Sequence, residues 1–572
     1  MSLFWKYLRR YWHLIAAAAI FLGLTDVAQV MVPRYFRDTL ELLGKADASR
    51  ADVARIAAVI VGLMVVVAVC RMAWRLVMWP LARRVEYELR RELFAHMQRL
   101  DPGFYHRHLS GDLISRASHD VDSLRMFFSM GFAIFFDVLF VTPMALYWMM
   151  QINPRLTLVV AVPIMVAPFF SLLITRRLSR SFRAAQDSLG ILTARAQEDI
   201  GGARVLKTYA REEVAAANYG RINGEVRGRF LALCRYYSFI GPYFHGVHQI
   251  ATMLLMMAGS AWALAGKVST GDMVAFEAYV GLLSWPTFAL GWGITMLQRM
   301  RAALGRVQEI LNEPQRQRAL PASGPDEVRG DLSFRDLTFA YGGTAPVLKN
   351  LDLEVPAGQV LGLTGPTGSG KSTLLSLTVA LAEPPRGAVF LDGADVRDIA
   401  PEKLRRHVAL VQQTPYLFSR KLSENLAFAR PEADVEDLRE AVCLAGLEPD
   451  LRQFEEGLET LVGDRGITLS GGQRLRVALG RALVARPRVL LLDDAFSAVD
   501  VVTEEAVWSA LREKTAGRTV VVVSHRISVL RRCDRVAVIE GGRISELGTH
   551  RELLAGEGFY ARTFALQELF ER

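Results

Sequence analysis

The chain has 572 residues, 51% of them hydrophobic, with 68 Lys and Arg against 59 Asp and Glu for a formal net charge of +9. That length exceeds a single hydrophobic core, so at least two domains are expected. A mean hydropathy of +0.20, with the apolar excess lying before about Met300, argues against a wholly soluble protein. The positive balance does not point to nucleic acid: no basic patch is interleaved with aromatics, and the arginines cluster beside apolar runs, where they act as topology signals. The four cysteines, Cys70, Cys234, Cys443 and Cys533, have no CxxC spacing and no histidine at ligand distance along the chain. Neither a zinc site nor a disulfide framework follows from them.

At the N-terminus, Lys6, Arg9 and Arg10 precede an apolar run through Ala16–Ala19, as in a cleavable signal peptide. The run continues to about Val32, however, and Trp5, Tyr7, Tyr11 and Trp12 form an interfacial aromatic belt, so an uncleaved first membrane helix is expected. Six segments reach the roughly 20 residues a bilayer span needs, at about 13–33, 54–80, 130–150, 156–178, 238–264 and 272–298. The gaps after the second and fourth spans are long and carry Arg83, Arg84, Arg90, Arg91 and Arg99, then Arg176, Arg177, Arg180, Arg183, Arg204, Lys207 and Arg211. Positive charge marks the cytosolic side. An even number of spans then leaves both the N-terminus and the C-terminal half in the cytoplasm. Within the long gaps, Val85, Leu89, Leu93 and Met97 recur at helical spacing, as do Leu189, Leu192 and Ala196, so these gaps read as helices continuing out of the membrane. Residues 1–312 are thus expected to form an all-α six-helix membrane domain. A polar stretch, 313–330, links it to an α/β domain over 331–572, where short β-rich runs alternate with helical patterns.

The α/β domain carries Gly365-Pro366-Thr367-Gly368-Ser369-Gly370-Lys371-Ser372, after the strand-like Gln359–Leu363 and before a helical run from Thr373. This is the phosphate-binding P-loop in its strand–loop–helix setting. Backbone N–H groups wrap the phosphates, Lys371 meets the β/γ charge, and the Ser372 hydroxyl is placed for Mg²⁺. The buried-strand run Val489–Leu492 ends in Asp493-Asp494, and a carboxylate at that strand end suits the Mg²⁺-holding role in a P-loop protein.

Leu469-Ser470-Gly471-Gly472-Gln473 is the signature of the ATP-binding cassette, and with it the domain resembles that family. Gln413 matches the Q-loop, Ser497–Asp500 the D-loop, His525 after the strand Val520–Val523 the switch histidine, and Tyr341 the ring that stacks on adenine. In the membrane half, Phe104–Leu113 and Gln197–Val205 resemble the two coupling segments of exporter half-transporters. The whole chain therefore resembles a type IV ABC exporter subunit of the bacterial multidrug kind, a six-helix domain plus one nucleotide-binding P-loop domain. The resemblance implies ATP and Mg²⁺ as cofactors. It makes Ser372, Gln413 and Asp493 metal ligands, and Asp494, His525 and Gln413 catalytic. It also implies that Ser470, Gly471, Gly472 and Gln473 complete the ATP site of a second half-transporter, and that the transported substrate is hydrophobic or amphiphilic.

One departure stands out. Efficient members of the family carry Glu directly after the Mg²⁺-binding Asp, and here that residue is Asp494, whose carboxylate falls short by one C–C bond, ~1.5 Å. An error of that size can cost ~10²-fold in rate, which suggests the degenerate half of a heterodimer whose partner retains the Glu. A homodimer with two slow sites and an ATP-gated, channel-like protein are the alternatives. Gln412 and Asp464 depart from the common Pro and Glu without touching phosphate. In the membrane half, Asp26, Asp137, His245, His248 and Glu277 lie within or near spans, where ionisable groups are costly and so are candidates for function. Asp26 and Asp137 are expected to face a cavity.

Overall fold

The computed structural model describes residues 2–45, 49–315, 325, 327–497, 501–514 and 517–571. It divides into two compact units: Met1–Leu100 with His108–Pro314, and Asp101–Arg107 with Gln315–Arg572.

The first unit is built on six long helices: α1 Trp12–Leu43, α2 Arg50–Met97, α3 Ser110–Ile152, α4 Pro154–Gly201, α5 Glu212–Leu264 and α6 Thr270–Asn312. Five of these are long and apolar enough to cross a membrane. In α4 the apolar stretch among the described residues is the shorter Pro154–Ala167, and most of the side chains in the rest of that expected span lie outside the description. At 48 residues each, α2 and α4 are ~72 Å long, more than twice a ~30 Å hydrocarbon core. The long polar gaps are therefore helix, as their periodicity implies. The third helix starts well before residue 130 and reaches its apolar part through two π turns, Arg116–Asp120 and Phe127–Gly131.

Sharp turns between spans are set by capping. Asn153 accepts from the N–H groups of Arg155 and Leu156, both at 3.1 Å, with Pro154 at the first helical position. Ser269 and Asp272 form a reciprocal capping box at the start of α6, which satisfies two otherwise orphaned backbone donors. The short helix Ser2–Arg10 is tied to α2 by Lys6–Glu92 at 2.7 Å and Arg10–Glu88 at 3.1 Å. The N-terminal basic residues thus meet the part of α2 beyond its apolar stretch.

Among its described residues the second unit has ten strands: β1 Leu332–Phe339, β2 Leu348–Val355, β3 Val360–Thr364, β4 Val389–Leu391, β5 Ala394–Asp395, β6 Val408–Val411, β7 Val489–Asp493, β8 Thr519–Val523, β9 Arg535–Glu540 and β10 Arg543–Gly548. They form an antiparallel four-stranded sheet, β2-β1-β4-β5, and a six-stranded sheet, β10-β9-β3-β8-β7-β6. In the second sheet all neighbours are parallel except the edge pair β9–β10. The runs Val489–Leu492 and Thr519–Val523 are buried throughout, as expected of parallel strands covered on both faces. Where the chain enters this unit, the Asp392 carboxylate accepts three successive backbone N–H groups, from Arg329, Gly330 and Asp331, at 2.6, 3.0 and 2.7 Å.

Candidate functional site

In an open parallel sheet the functional crevice lies beyond the carboxyl ends of the strands. Here β3, β6, β7 and β8 are neighbours, and their carboxyl ends deliver the P-loop, Gln413, Asp493–Asp494 and His525. Together with Tyr341, Val347 and Val523, these residues line one cleft of about 330 Å³. Tyr341 sits just after β1, 46% exposed, with its ring edge-on to Phe339 at 4.9 Å, which leaves a flat apolar surface at the cleft margin.

The P-loop takes its shape from glycine. Gly365 has φ 138° and a Cβ there would lie 2.1 Å from the Ile539 carbonyl oxygen; at Gly370, φ 105°, it would lie 2.6 Å from Leu348. No other residue fits either position. The loop ends on helix α7, Lys371–Thr378, whose N-terminus points unpaired N–H groups at the cleft, a ready anion site. Lys371 is 7% exposed, and its ammonium donates to the carbonyls of Gly365 and Pro366, both at 2.9 Å. Burial pulls its pKa below the usual lysine value, opposed by the charges of Asp493 and Asp494.

The Ser372 hydroxyl donates to Asp493 Oδ1 at 3.1 Å, which places two hard oxygen donors side by side at the mouth of the loop. Among the described residues no cluster of three or more His, Cys, Asp or Glu side chains could hold a metal. The pair with Gln413 nearby suits Mg²⁺, which takes few protein ligands and fills its octahedron with phosphate and water oxygens. Burial holds the Asp493 carboxyl above its ordinary pKa, opposed by its hydrogen bond from Ser372.

Asp494 has φ 50°, a left-handed conformation that Asp tolerates and most other side chains resist. Its backbone is fixed by Asp494 N–H to the Val523 carbonyl at 3.1 Å and by Ser497 Oγ to the Asp494 carbonyl at 2.9 Å. Gln413 Nε2 stands 3.4 Å from Asp494 Oδ2. Burial raises the Asp494 pKa, with His525 and Gln413 acting against it. His525 is shifted the other way, downward, by burial and by the Lys371 charge, with Asp494 acting against it.

The signature segment does not line this cleft. Ser470 caps helix α8, Gly471–Val484, in a reciprocal box with Gln473: Gln473 N–H to Ser470 Oγ at 3.2 Å and Ser470 N–H to Gln473 Oε1 at 2.8 Å. The other end of the Gln473 amide donates to Asp450 at 2.8 Å, and Asp450 also takes Arg476 at 2.7 Å. The segment is therefore a capped helix N-terminus that carries Gly471 and Gly472 outside the lining of the P-loop cleft. Asp450 was not visible as functional in the sequence, because nothing in its spacing ties it to Gln473. Asp500 lies outside the described residues; of the expected D-loop, Ser497 is placed.

In the membrane unit, His248 Nε2 lies 3.6 Å from Glu277, which also accepts from Thr252 at 2.9 Å, while Ser284 Oγ is 3.1 Å from His248 Nδ1. His245 is exposed and Asp137 half-buried. Asp26 is 2% exposed with one carboxylate oxygen unpartnered among the described residues. Enclosure by neighbouring helices, not an open cavity, is its environment within this chain, which corrects the expectation for that residue.

Comparison with known proteins agrees with both halves. The ABC transporter transmembrane region family matches residues 15–287 and the ABC transporter family residues 348–497. The uncharacterized ABC transporter ATP-binding protein YknU of Bacillus subtilis is 34% identical over 84% of this chain and 83% of its own length. The multidrug resistance-like ATP-binding protein MdlA of Escherichia coli is 31% identical over 98% and 96%. The ATP-dependent lipid A-core flippase of Thiobacillus denitrificans is 30% identical over 98% and 97%. Among solved structures, a bacterial Atm1-family ABC exporter with ATP bound superposes with a TM-score of 0.78 at 23% identity, over 98% of both chains.

Proposed function

Because the chain belongs to the type IV ABC exporters, ATP-driven transporters that fuse a helical membrane domain to an ABC ATPase, we propose that it is the degenerate-site half of a heterodimeric exporter. The observation that carries this reading is Asp494, a shortened carboxylate at the end of β7, in a chain whose signature helix is intact and capped. This chain's cleft would bind ATP through the P-loop, with Tyr341 against the adenine and Ser372, Asp493 and Gln413 around Mg²⁺. Held by these residues, Mg²⁺ would supply positive charge to offset that of the phosphates. Lys371 would steady the β/γ phosphates, and His525 would donate to the γ-phosphate. Asp494, about one bond too short, holds the attacking water poorly. Gly471 and Gly472 would close the partner's site, where a Glu does the hydrolysis.

The arginines on the long extensions of α2 and α4 support a cytoplasmic nucleotide-binding domain and a cell-membrane location. The kinship with proteins named for multidrug resistance and for a lipid flippase favours an amphiphilic cargo. The test is ATP turnover by the purified chain alone and with its co-expressed partner. Activity should be low alone and rise strongly with the partner. Turnover at ~10 s⁻¹ by this chain alone would refute the heterodimer.

A further inference from the structure

The segment carrying His525 is held from an unexpected direction. The C-terminal helix α9, Phe559–Glu571, brings the Gln567 side chain against the backbone on either side of Arg526. Gln567 Nε2 donates to the His525 carbonyl at 2.6 Å, and Gln567 Oε1 accepts the Ile527 N–H at 3.1 Å. The two bonds fix the amide's orientation, because a flipped amide would set donor against donor and oxygen against oxygen. One side chain thus holds the two peptide units that flank Arg526, the first of which leaves the His525 Cα directly.

Both ends of this clamp are anchored. Tyr560 of α9 is fully buried, its hydroxyl 2.7 Å from His550 Nδ1 and its N–H 3.3 Å from Glu546 of β10. On the other side, Arg526 reaches Glu504 at 2.6 Å and the Ser497 carbonyl at 3.0 Å, and Ser528 donates to the same Glu504, which is 4% exposed. Helix α9, the turn at His525 and Ser497 after β7 therefore form one connected hydrogen-bonded frame.

We propose that Gln567 is a positioning residue for His525, coupling the C-terminal helix to recognition of the γ-phosphoryl group of ATP. This rests on the reading of the β3–β8 cleft as an ATP site. Gln567 touches no phosphate itself; it sets the backbone from which the imidazole reaches. A displacement of α9 would withdraw the histidine from the third phosphate without disturbing the P-loop or its lysine.

The experiment compares release of adenylyl imidodiphosphate, which keeps a γ-phosphoryl group, with release of ADP, which lacks one. It uses the assembled full-length transporter; where a different subunit co-assembles, its P-loop lysine is replaced so that this chain's site alone is read. Gln567→Met keeps the volume and removes both bonds. It should speed release of the triphosphate analogue at least about fivefold, the low end for coupled sites, with ADP release unchanged. In a His525→Ala background the same substitution should do nothing further. Unchanged analogue release, or equal acceleration for ADP, overturns the positioning role and leaves the ATP site standing. A wild-type protein that binds neither nucleotide overturns the ATP-site reading and this inference with it.

Discussion

Replacing Asp494 with Glu tests the asymmetry most directly. The added methylene extends the carboxylate by ~1.5 Å from a backbone that Val523 and Ser497 hold in place. If misplacement of that size is what slows the site, hydrolysis there should rise by up to ~10²-fold, equivalent to about 2.7 kcal/mol of barrier. The structure adds an opposing effect. At φ 50° Asp is tolerated whereas Glu is strained, by ~1 kcal/mol on the scale of left-handed residues, so thermal stability should fall slightly even as the rate climbs. Single-turnover hydrolysis should be followed in a complex whose other site is inactivated. Wild type should retain ATP at this site and Asp494→Glu should convert it to ADP. Equal and fast hydrolysis by both forms would mean that Asp494 is already a competent base. Equal and slow hydrolysis would mean that carboxylate reach is not the limiting defect.

Three further outcomes are expected. Lys371→Ala should weaken nucleotide binding at this site, measured with labelled ATP, yet reduce transport less than the same change in the partner; equal losses would contradict an asymmetric pair. Because burial raises the pKa of Asp493, the folded state holds that proton more tightly than the unfolded one, so its contribution to stability is lost as pH rises from about 4 through the raised pKa. Asp493→Asn should therefore raise the nucleotide-free melting temperature at pH 7 while abolishing Mg²⁺-dependent ATP binding; a lowered melting temperature would contradict the burial argument. Burial pushes the Cys533 thiol up to about 12, so a maleimide at pH 7 should label exposed Cys234 and Cys443 and reach Cys533 only after denaturation, as read by mass spectrometry.

What could be read from the sequence divides along a physical line. The P-loop and its flanking strand and helix were legible because their chemistry is local: glycines needed for positive φ, a lysine and a serine at fixed offsets. The extensions of α2 and α4 were legible from 3.6-residue periodicity. The true start of α3 was not, since π turns at Arg116–Asp120 and Phe127–Gly131 shift the phase that periodicity relies on. Asp26 looked open to a cavity because sequence reports polarity and not enclosure. The left-handed backbone of Asp494 was hidden for a similar reason: its N–H is bonded to Val523 on the neighbouring strand, a pairing that no local spacing reveals. Asp450 and Gln567 were invisible as supporting residues because each acts across more than twenty intervening residues on a backbone or amide that no spacing rule connects to it.

The Asp392 clamp has a mechanical meaning. Three charge-assisted hydrogen bonds, each worth ~1.5–3 kcal/mol, secure the chain where it enters the β1 sheet. Tension arriving along the preceding polypeptide meets this knot first. It is loaded together, since all three donors belong to consecutive residues and share one carboxylate. A pull would therefore displace the nucleotide-binding fold as a body before it could draw β1 out from between β2 and β4. Asp392→Ala should lower the force at which that fold begins to unravel from its N-terminal end in single-molecule pulling, while leaving the P-loop's conformation intact.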